Sequence, residues 1–348
     1  MPRSLAQKLR DRIRSEGPIS FADFMEAALY DPDSGYYARG APIGEGGDFV
    51  TSPSVSPAFA ATIARRFAKD GENIEGDLDF VEVGAGEGTF LTDFAGALAR
   101  DHPAVASRTR LAAVERSAAA REELAKLPIA LWKSVGDLSE RPIVGWIFAN
   151  ELYDALPVAR VRGGAEGLEE LRVGLEHDRF VWTAAAAPEA WKDRLARSGV
   201  SLAAGQIGEI RHGAAELHRG LARALSRGRL VVFDYGHRAP TLYHPLARPG
   251  GTLAVHRGGR RGGDPLERPG EQDLTAHVDW DELVAAGEGE GLQSDRPMRQ
   301  GRFLAESGIF DFAESEAEKW RVYRLVDPAG MGDEISVLVQ SRGIARRV

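Results

Sequence analysis

The 348-residue chain contains no cysteine. Disulfides and thiolate-bound metals are therefore excluded, and the composition fits a reducing compartment. It also lacks any run of eighteen or more apolar residues, so neither a transmembrane helix nor membrane insertion is expected. The eight histidines include no H-x-x-x-H pair, and the acidic residues are scattered rather than spaced as in a calcium loop. No metal site is expected on either count. A G-x-S-x-G nucleophile elbow is missing, which argues against α/β-hydrolase chemistry. Positive charge is in deficit, with 44 Lys+Arg against 52 Asp+Glu. A chain with this balance carries no general electrostatic footprint for nucleic acid. The 43% hydrophobic content is enough for a buried core, and the length suits one large domain with additions, or two smaller ones.

What the chain does have is DFVEVGAGEGTF, from Asp79 to Phe90. Phe80, Val81 and Val83 form a short apolar, β-branched run of the kind a buried parallel strand shows. Gly84, Gly86 and Gly88 follow, then Thr89, Phe90 and Leu91 open a helical pattern with Phe94 and Leu98. The reading is strand, glycine turn, helix. Glycines let the backbone bend sharply and let a ligand come close to it, and the helix start offers unsatisfied N–H groups. A dinucleotide site takes G-x-G-x-x-G. Here the third glycine arrives one residue early, Thr89 stands where that pattern wants glycine, and Glu82 lies inside the strand. An ordinary α/β glycine turn is the plain alternative.

Along the chain, MPRSLAQKLRDRIRSEG is basic and open to reading as a transit peptide. Leu5, Leu9 and Ile13 recur every four residues and Gly17-Pro18 follows, so a first helix is the preferred reading. Ser20 is a plausible N-cap for a second helix with an apolar face at Phe21, Phe24, Met25, Ala28 and Leu29. Gly46-Gly47-Asp48 and Ser52-Pro53 read as a loop, and Pro57–Phe67 as a helix. These pieces form either a cap over the site or a surface loop between packed helices. Two further strands are expected at Arg110–Glu115 and Ile143–Asn150. Alternating stretches from Val158 onward read as hairpins, the segment around Leu217, Leu221 and Leu225 as a helix, and Arg229–Tyr235 as another buried strand. Gly250–Gly270, rich in Gly, Arg and Pro, reads as a mobile loop.

The E-x-G-x-G-x-G pattern resembles the first motif of class I S-adenosylmethionine methyltransferases. The phrases ISFADFMEAALYDPDSGYYA, GDFVTSPSVSPAF, VEVGAGEGTFLTD, IFANELYDALPV, LVVFDYGH, DPLERPGEQDLTAHVDW and QGRFLAESGI, running in order from about Ile19 to Ile309, resemble the MidA family. That family includes the mitochondrial complex I assembly factor that methylates arginine of a complex I subunit. The resemblance implies an α/β fold: a class I methyltransferase (Rossmann-like), mostly parallel sheet with an antiparallel last strand, an N-terminal helical cap and a central insertion. The expected division is 1–70 for the cap and 71–348 for the core, with the insertion at about 158–227 and the Gly/Arg-rich loop at about 250–272. Arg321–Val326 and Glu334–Gln340 resemble the closing antiparallel hairpin of such a sheet.

For the site, the resemblance implies S-adenosyl-L-methionine held by Glu82, Gly84, Ala85, Gly86, Gly88 and Thr89, with Glu115 on the ribose hydroxyls and Asp137 at the adenine amino group. Asn150 and Glu151 end a strand on the ligand side of the sheet, where open α/β folds bind ligands, and so lie near the transferred methyl. Guanidinium holds its proton above a pKa of roughly 12, so an arginine acceptor needs carboxylates, and Glu151 and Asp234 are the candidates, with Asn150 beside them. Tyr36, Tyr37, Asp48, Thr51, Ser52, Pro53, Tyr235, His237 and His277 are candidate cap or substrate contacts. His277 is open to three readings: structural, substrate contact or general base. The implied partner is a protein with a target arginine; the implied location is the cytoplasm for a bacterial chain and the mitochondrial matrix for a eukaryotic one. A cofactor-binding assembly chaperone with little catalysis is the alternative, and a small-molecule methyltransferase a weaker third.

Overall fold

The computed structural model describes residues 3–39 and 50–345, so Asp48 lies outside the described residues. The first part of the chain gives helices α1 (Leu5–Glu16), α2 (Phe21–Tyr30) and α3 (Pro57–Gly71), strand β1 (Leu78–Val83), helix α4 (Thr89–Asp101), and strands β2 (Thr109–Val114), β3 (Ala130–Trp132) and β4 (Ile143–Asn150). Then come β5 (Val158–Gly163), β6 (Leu168–Glu176), β7 (Arg179–Ala186), β8 (Ile207–Arg211), α5 (Ala214–Ala224) and β9 (Leu225–His237). The last part holds β10 (Ala254–Arg257), β11 (Asp273–Thr275), α6 (Trp280–Gly289), α7 (Gln300–Glu306), α8 (Glu316–Val326) and β12 (Ile335–Arg342).

The principal sheet has the order β3-β2-β1-β4-β9-β12. Its first five strands are parallel, and β12 runs antiparallel to β9. The mostly parallel sheet with an antiparallel last strand is thus present. β1 is buried at all six positions, as a central strand covered on both faces must be. From β1 the chain winds outward through β2 and β3, then returns to β4 on the other side. That reversal opens a crevice beyond the carboxyl ends of β1 and β4, where ligands bind in doubly wound folds.

One face of the sheet carries an aromatic core. Phe59 and Phe67 of α3 pack edge-on against Phe233 and Phe80, with centroids 5.3 and 5.4 Å apart. Helix α3 therefore belongs to this core, and not with the first two helices in a cap reaching residue 70. On the other face, Leu221 and Ala222 of α5 and Leu283 of α6 pack on Val81, Ile147 and Val232. Thus α5 is the crossover helix leading into β9, and the interruption that begins at Val158 ends at Arg211 instead of Arg227.

The interruption is a second sheet, β8-β5-β6-β7, to which Ile19–Ser20 adds at β6. Helices α1 and α2 cover it. Ser4 and Ser20 cap them through their hydroxyls, and the face Leu5, Leu9, Ile13, Phe21, Phe24, Met25 is buried. Phe24 meets Phe180 edge-on at 5.4 Å and Phe21 meets Trp182 at 5.0 Å. The basic N-terminal stretch is thus a packed helix. The Gly/Arg-rich stretch is not a plain loop: β10, Arg260–Arg261 and β11 form a small antiparallel sheet, with Val255 and Leu274 in the same core as α1 and α2.

Arg321–Val326, expected as a strand, is the end of α8. Ser315 caps that helix, and Val322 and Leu325, three residues apart, are its buried positions. No described helix is long and apolar enough to cross a membrane.

Candidate functional site

The crevice at the strand switch is the inner end of a cavity of about 1960 Å³. Its inner part is built by the glycine turn. Gly84, Gly86 and Gly88 have φ of 76°, 52° and 84°, the left-handed region that costs a side chain energy. A Cβ on Gly86 would meet nothing within 4 Å, so it would project into the cavity, whereas Cβ atoms on Gly84 and Gly88 would strike Leu152 and Leu124. Gly86 faces the space; Gly88 allows the helix to approach the residues around Leu124 and does not itself line the cavity. Ala85 and Thr89 do line it.

Two carboxylates stand over this turn. Glu82 is 4% exposed, and its Oε2 has no hydrogen-bond partner. Burial, then the charge of Glu115, raises its pKa well above the ordinary range. A buried acceptor without a donor is costly and marks where a ligand N–H or cation fits. Glu115 follows β2 and accepts from the backbone N–H of Gly86 at 2.9 Å and of Ser117 at 2.7 Å. Burial raises its pKa and these bonds oppose the rise. Asp137 does not point here. Its Oδ2 accepts from the N–H groups of Lys133 and Ser134, capping its own turn, and it is Lys133, Ser134 and Val135 that line the cavity.

Beyond the end of β4 the cavity widens. Glu151 has φ 49°, a strained conformation for a non-glycine residue, and such strain clusters at functional sites. Its Oε1 accepts from the backbone N–H of Ser52 at 3.2 Å and from Asn150 Nδ2 at 3.0 Å. Asn150 Oδ1 is buried without a partner. Burial, followed by the charge of Asp154, pushes the Glu151 carboxyl up to about 8. Thr51 and Pro53 also line the cavity, while the Ser52 hydroxyl is buried and donates to Gln300 Oε1 at 2.8 Å.

Asp234 is fully buried and is not a cavity residue. Its Oδ2 accepts from the N–H groups of Leu152, Tyr153 and Asp154, and its Oδ1 from that of Tyr235. With its acceptor positions occupied, this carboxylate holds the 151–154 turn and does not reach a substrate. The acidic residue in the cavity is instead Asp154, 6% exposed, which the sequence reading missed. Burial raises its pKa and Arg211 opposes that. Arg211 donates to the carbonyls of Asp154, Leu156, Ala276 and His277, fastening the turn after β4 to the segment after β11. Asp273, 2% exposed, is a third carboxylate of the lining.

Tyr37 donates to Asp273 at 3.0 Å and stacks on Tyr30 at 5.5 Å. Tyr30, also missed, donates to the Ala155 carbonyl at 3.0 Å. Tyr36 is buried behind, edge-on to Tyr37. Tyr235, His237 and His277 line the outer part. Burial and neighbouring charge push His237 down to about 4 and His277 down to about 3, so both are neutral near pH 7. His277 Nδ1 is buried without a partner, so a purely structural role leaves one polar atom unaccounted for. Among the described residues no group of three or more His, Cys, Asp or Glu is arranged to hold a metal.

Residues 58–298 match the model of a family described as S-adenosyl-L-methionine-dependent methyltransferases. The mitochondrial protein arginine methyltransferase NDUFAF7 of Homo sapiens is 28% identical over 350 residues, covering 88% of this chain and 73% of that protein. The Bos taurus protein of the same name is 27% identical over 339 residues, covering 86% and 72%. A Burkholderia thailandensis protein solved with S-adenosyl-homocysteine bound is 32% identical, with a TM-score of 0.88 over 99% of this chain and 93% of that one.

Proposed function

The chain belongs to the MidA family of S-adenosyl-L-methionine-dependent methyltransferases, and from that premise we propose that it methylates an arginine side chain of a protein. The observation that carries this reading is the set Glu151, Asp154 and Asp273, three carboxylates, the first half-buried and the other two buried, lining one cavity just beyond the glycine turn. A neutral or anionic acceptor gains nothing from that floor. A guanidinium is a planar cation with five donors, suited to several carboxylates at once.

On this reading Glu82 and Glu115 take the polar ends of the cofactor, and the bare backbone at Gly86 leaves it room. The cofactor supplies an electrophilic methyl carbon on a sulfonium. The remaining work is orientation and exclusion of water. Asp154 and Asp273 accept hydrogen bonds from the guanidinium and fix its plane. Glu151 accepts from the attacking nitrogen and takes its proton as the N–C bond forms and the C–S bond breaks. The stacked Tyr30 and Tyr37 wall the acceptor's aliphatic stem. Asp234 acts through the 151–154 turn as a positioning residue. The partner is a protein, and its methylated site follows from the acceptor chamber, not from the cofactor crevice.

The test is transfer of label from methyl-tritiated S-adenosylmethionine to proteins of the source cell, followed by peptide mapping. Label on arginine, lost with Glu151→Gln, is the expected result. Label on another residue type sinks the arginine reading. Cofactor binding without transfer to any protein would favour a holding role for a partner over catalysis.

A further inference from the structure

The outer part of the cavity carries a second polarity that methyl transfer does not use. Arg248 and Arg261 both line it. The Arg248 guanidinium directs its hydrogen bonds to the Thr241 carbonyl and to His237 Nε2. Burial and the nearby charge of Arg299 lower its pKa below the ordinary value. Arg261 stands on the exposed strand Arg260–Arg261 of the small hairpin. Among the described residues neither guanidinium has a carboxylate within ion-pair distance. Asp333 and Glu334 belong to the same lining but pair with neither. The two histidines between are neutral near pH 7 and do not offset the positive charge. A half-buried guanidinium facing other guanidiniums and no anion is an unfavourable arrangement that an incoming carboxylate would relieve.

The spacing gives the anion's place. From Tyr235, beside the acidic floor, the ring of His277 is 6.4 Å away, and the ring of His237 a further 5.3 Å on, against Arg248. The two steps span at most their sum, so the rim lies no more than about three or four residues of extended chain from Tyr235, at roughly 3.3–3.6 Å each. The floor and the rim therefore suit a cation and an anion carried on one peptide, a few residues apart.

We propose that Arg248 and Arg261 form a reading site for an Asp or Glu side chain lying within a few residues of the target arginine in the protein substrate. The inference rests on the arginine-acceptor reading. The acidic floor selects the methylated residue; the basic rim selects the sequence around it. Arg261 lies on the small antiparallel sheet and Arg248 on the segment following β9, so the rim can change between relatives without disturbing the cofactor crevice.

The experiment uses a degenerate peptide library with one fixed central arginine, methylated by the full-length protein with tritiated S-adenosylmethionine, and sequencing of the labelled pool. Wild type is expected to enrich Asp or Glu at one or two positions near the arginine. Arg248→Gln with Arg261→Gln should reduce that enrichment by roughly tenfold, the scale of one charge-assisted hydrogen bond. The single Arg261→Gln change, on an exposed hairpin, decides the matter if the double variant does not fold, and should give a partial loss. A labelled pool without acidic enrichment, or enrichment unchanged in Arg261→Gln, overturns the proposal. No label on any arginine peptide while the cofactor still binds overturns the arginine-acceptor reading, and the rim's role with it.

Discussion

On the proposed reading, Glu151 is the residue on which the chemistry turns. It sits at the end of β4 in a left-handed conformation, with a carboxyl pushed up to about 8 by burial and by Asp154. At pH 7 the free protein therefore holds it mostly protonated, unable to accept a proton. Ionisation makes it competent, so kcat/KM for the acceptor should rise about tenfold per pH unit below pH 8 and level above it. Glu151→Gln should remove that limb and lower the plateau by roughly 10²–10⁴, with the fold retained. A flat profile between pH 6 and 9 in wild type would remove Glu151 from the role. At this scale the sequence was legible where a side chain's task follows from a motif: Glu82, Gly86, Glu115 and Glu151 all reach the cavity. It was not legible where two carboxylates compete. Asp154 follows β4 and Asp234 lies within β9, and only the folded chain shows that four N–H groups occupy Asp234. Asp137 failed for a related reason: a short side chain before a turn finds its own backbone first.

Among elements, the turn at Ser52 depends on a distant helix. The Ser52 N–H donates to Glu151 while its hydroxyl donates to Gln300 of α7, and Gln300 Nε2 donates to the Leu325 carbonyl of α8. One buried amide thus ties the loop over the cavity to two helices packed on the sheet. Gln300→Leu keeps the volume but strands a hydroxyl and a carbonyl, each without a partner. Unfolding by urea should show a loss of about 1–3 kcal/mol, and the KM for the acceptor should rise with it. Unchanged stability would mean that the amide is not a tie. Helical and parallel-strand segments were readable because their periods and caps are local: Ser20 caps α2 where expected. Arg321–Val326 was misread because a six-residue apolar–polar run suits either period, and the deciding signal, the Ser315 cap, lies upstream of it. In the Gly/Arg-rich stretch the hairpin itself is local, Ala254–Arg257 turning back on Arg260–Arg261 across Gly258-Gly259, and only its third strand, Asp273–Thr275, lies well beyond it in sequence.

For the whole molecule, two sheets divide the work. The principal sheet supplies the crevice, and the second sheet, covered by α1 and α2, brings Tyr30, Tyr37, Arg211 and the 254–277 segment to its mouth. The principal sheet was legible because β1, β2, β4 and β9 are apolar runs and parallel order follows from winding, whereas the three-residue β3 was too short to show a pattern. The joining of residues 19–20 to the insertion at β6 was not, since that contact spans roughly 150 residues of chain and no local pattern records it. A cofactor lying against Glu82, Gly86 and Glu115, with the acceptor chamber beside it, must lose affinity when that turn is altered. The most direct measurement is calorimetric titration of S-adenosyl-homocysteine into wild type, Gly86→Val and Glu115→Ala, with folding followed by circular dichroism. One site is expected in wild type, and loss or at least a tenfold weakening, about 1.4 kcal/mol, in both variants with the fold intact. Equal affinity in all three proteins would contradict it, because the ligand would then lie away from the glycine turn.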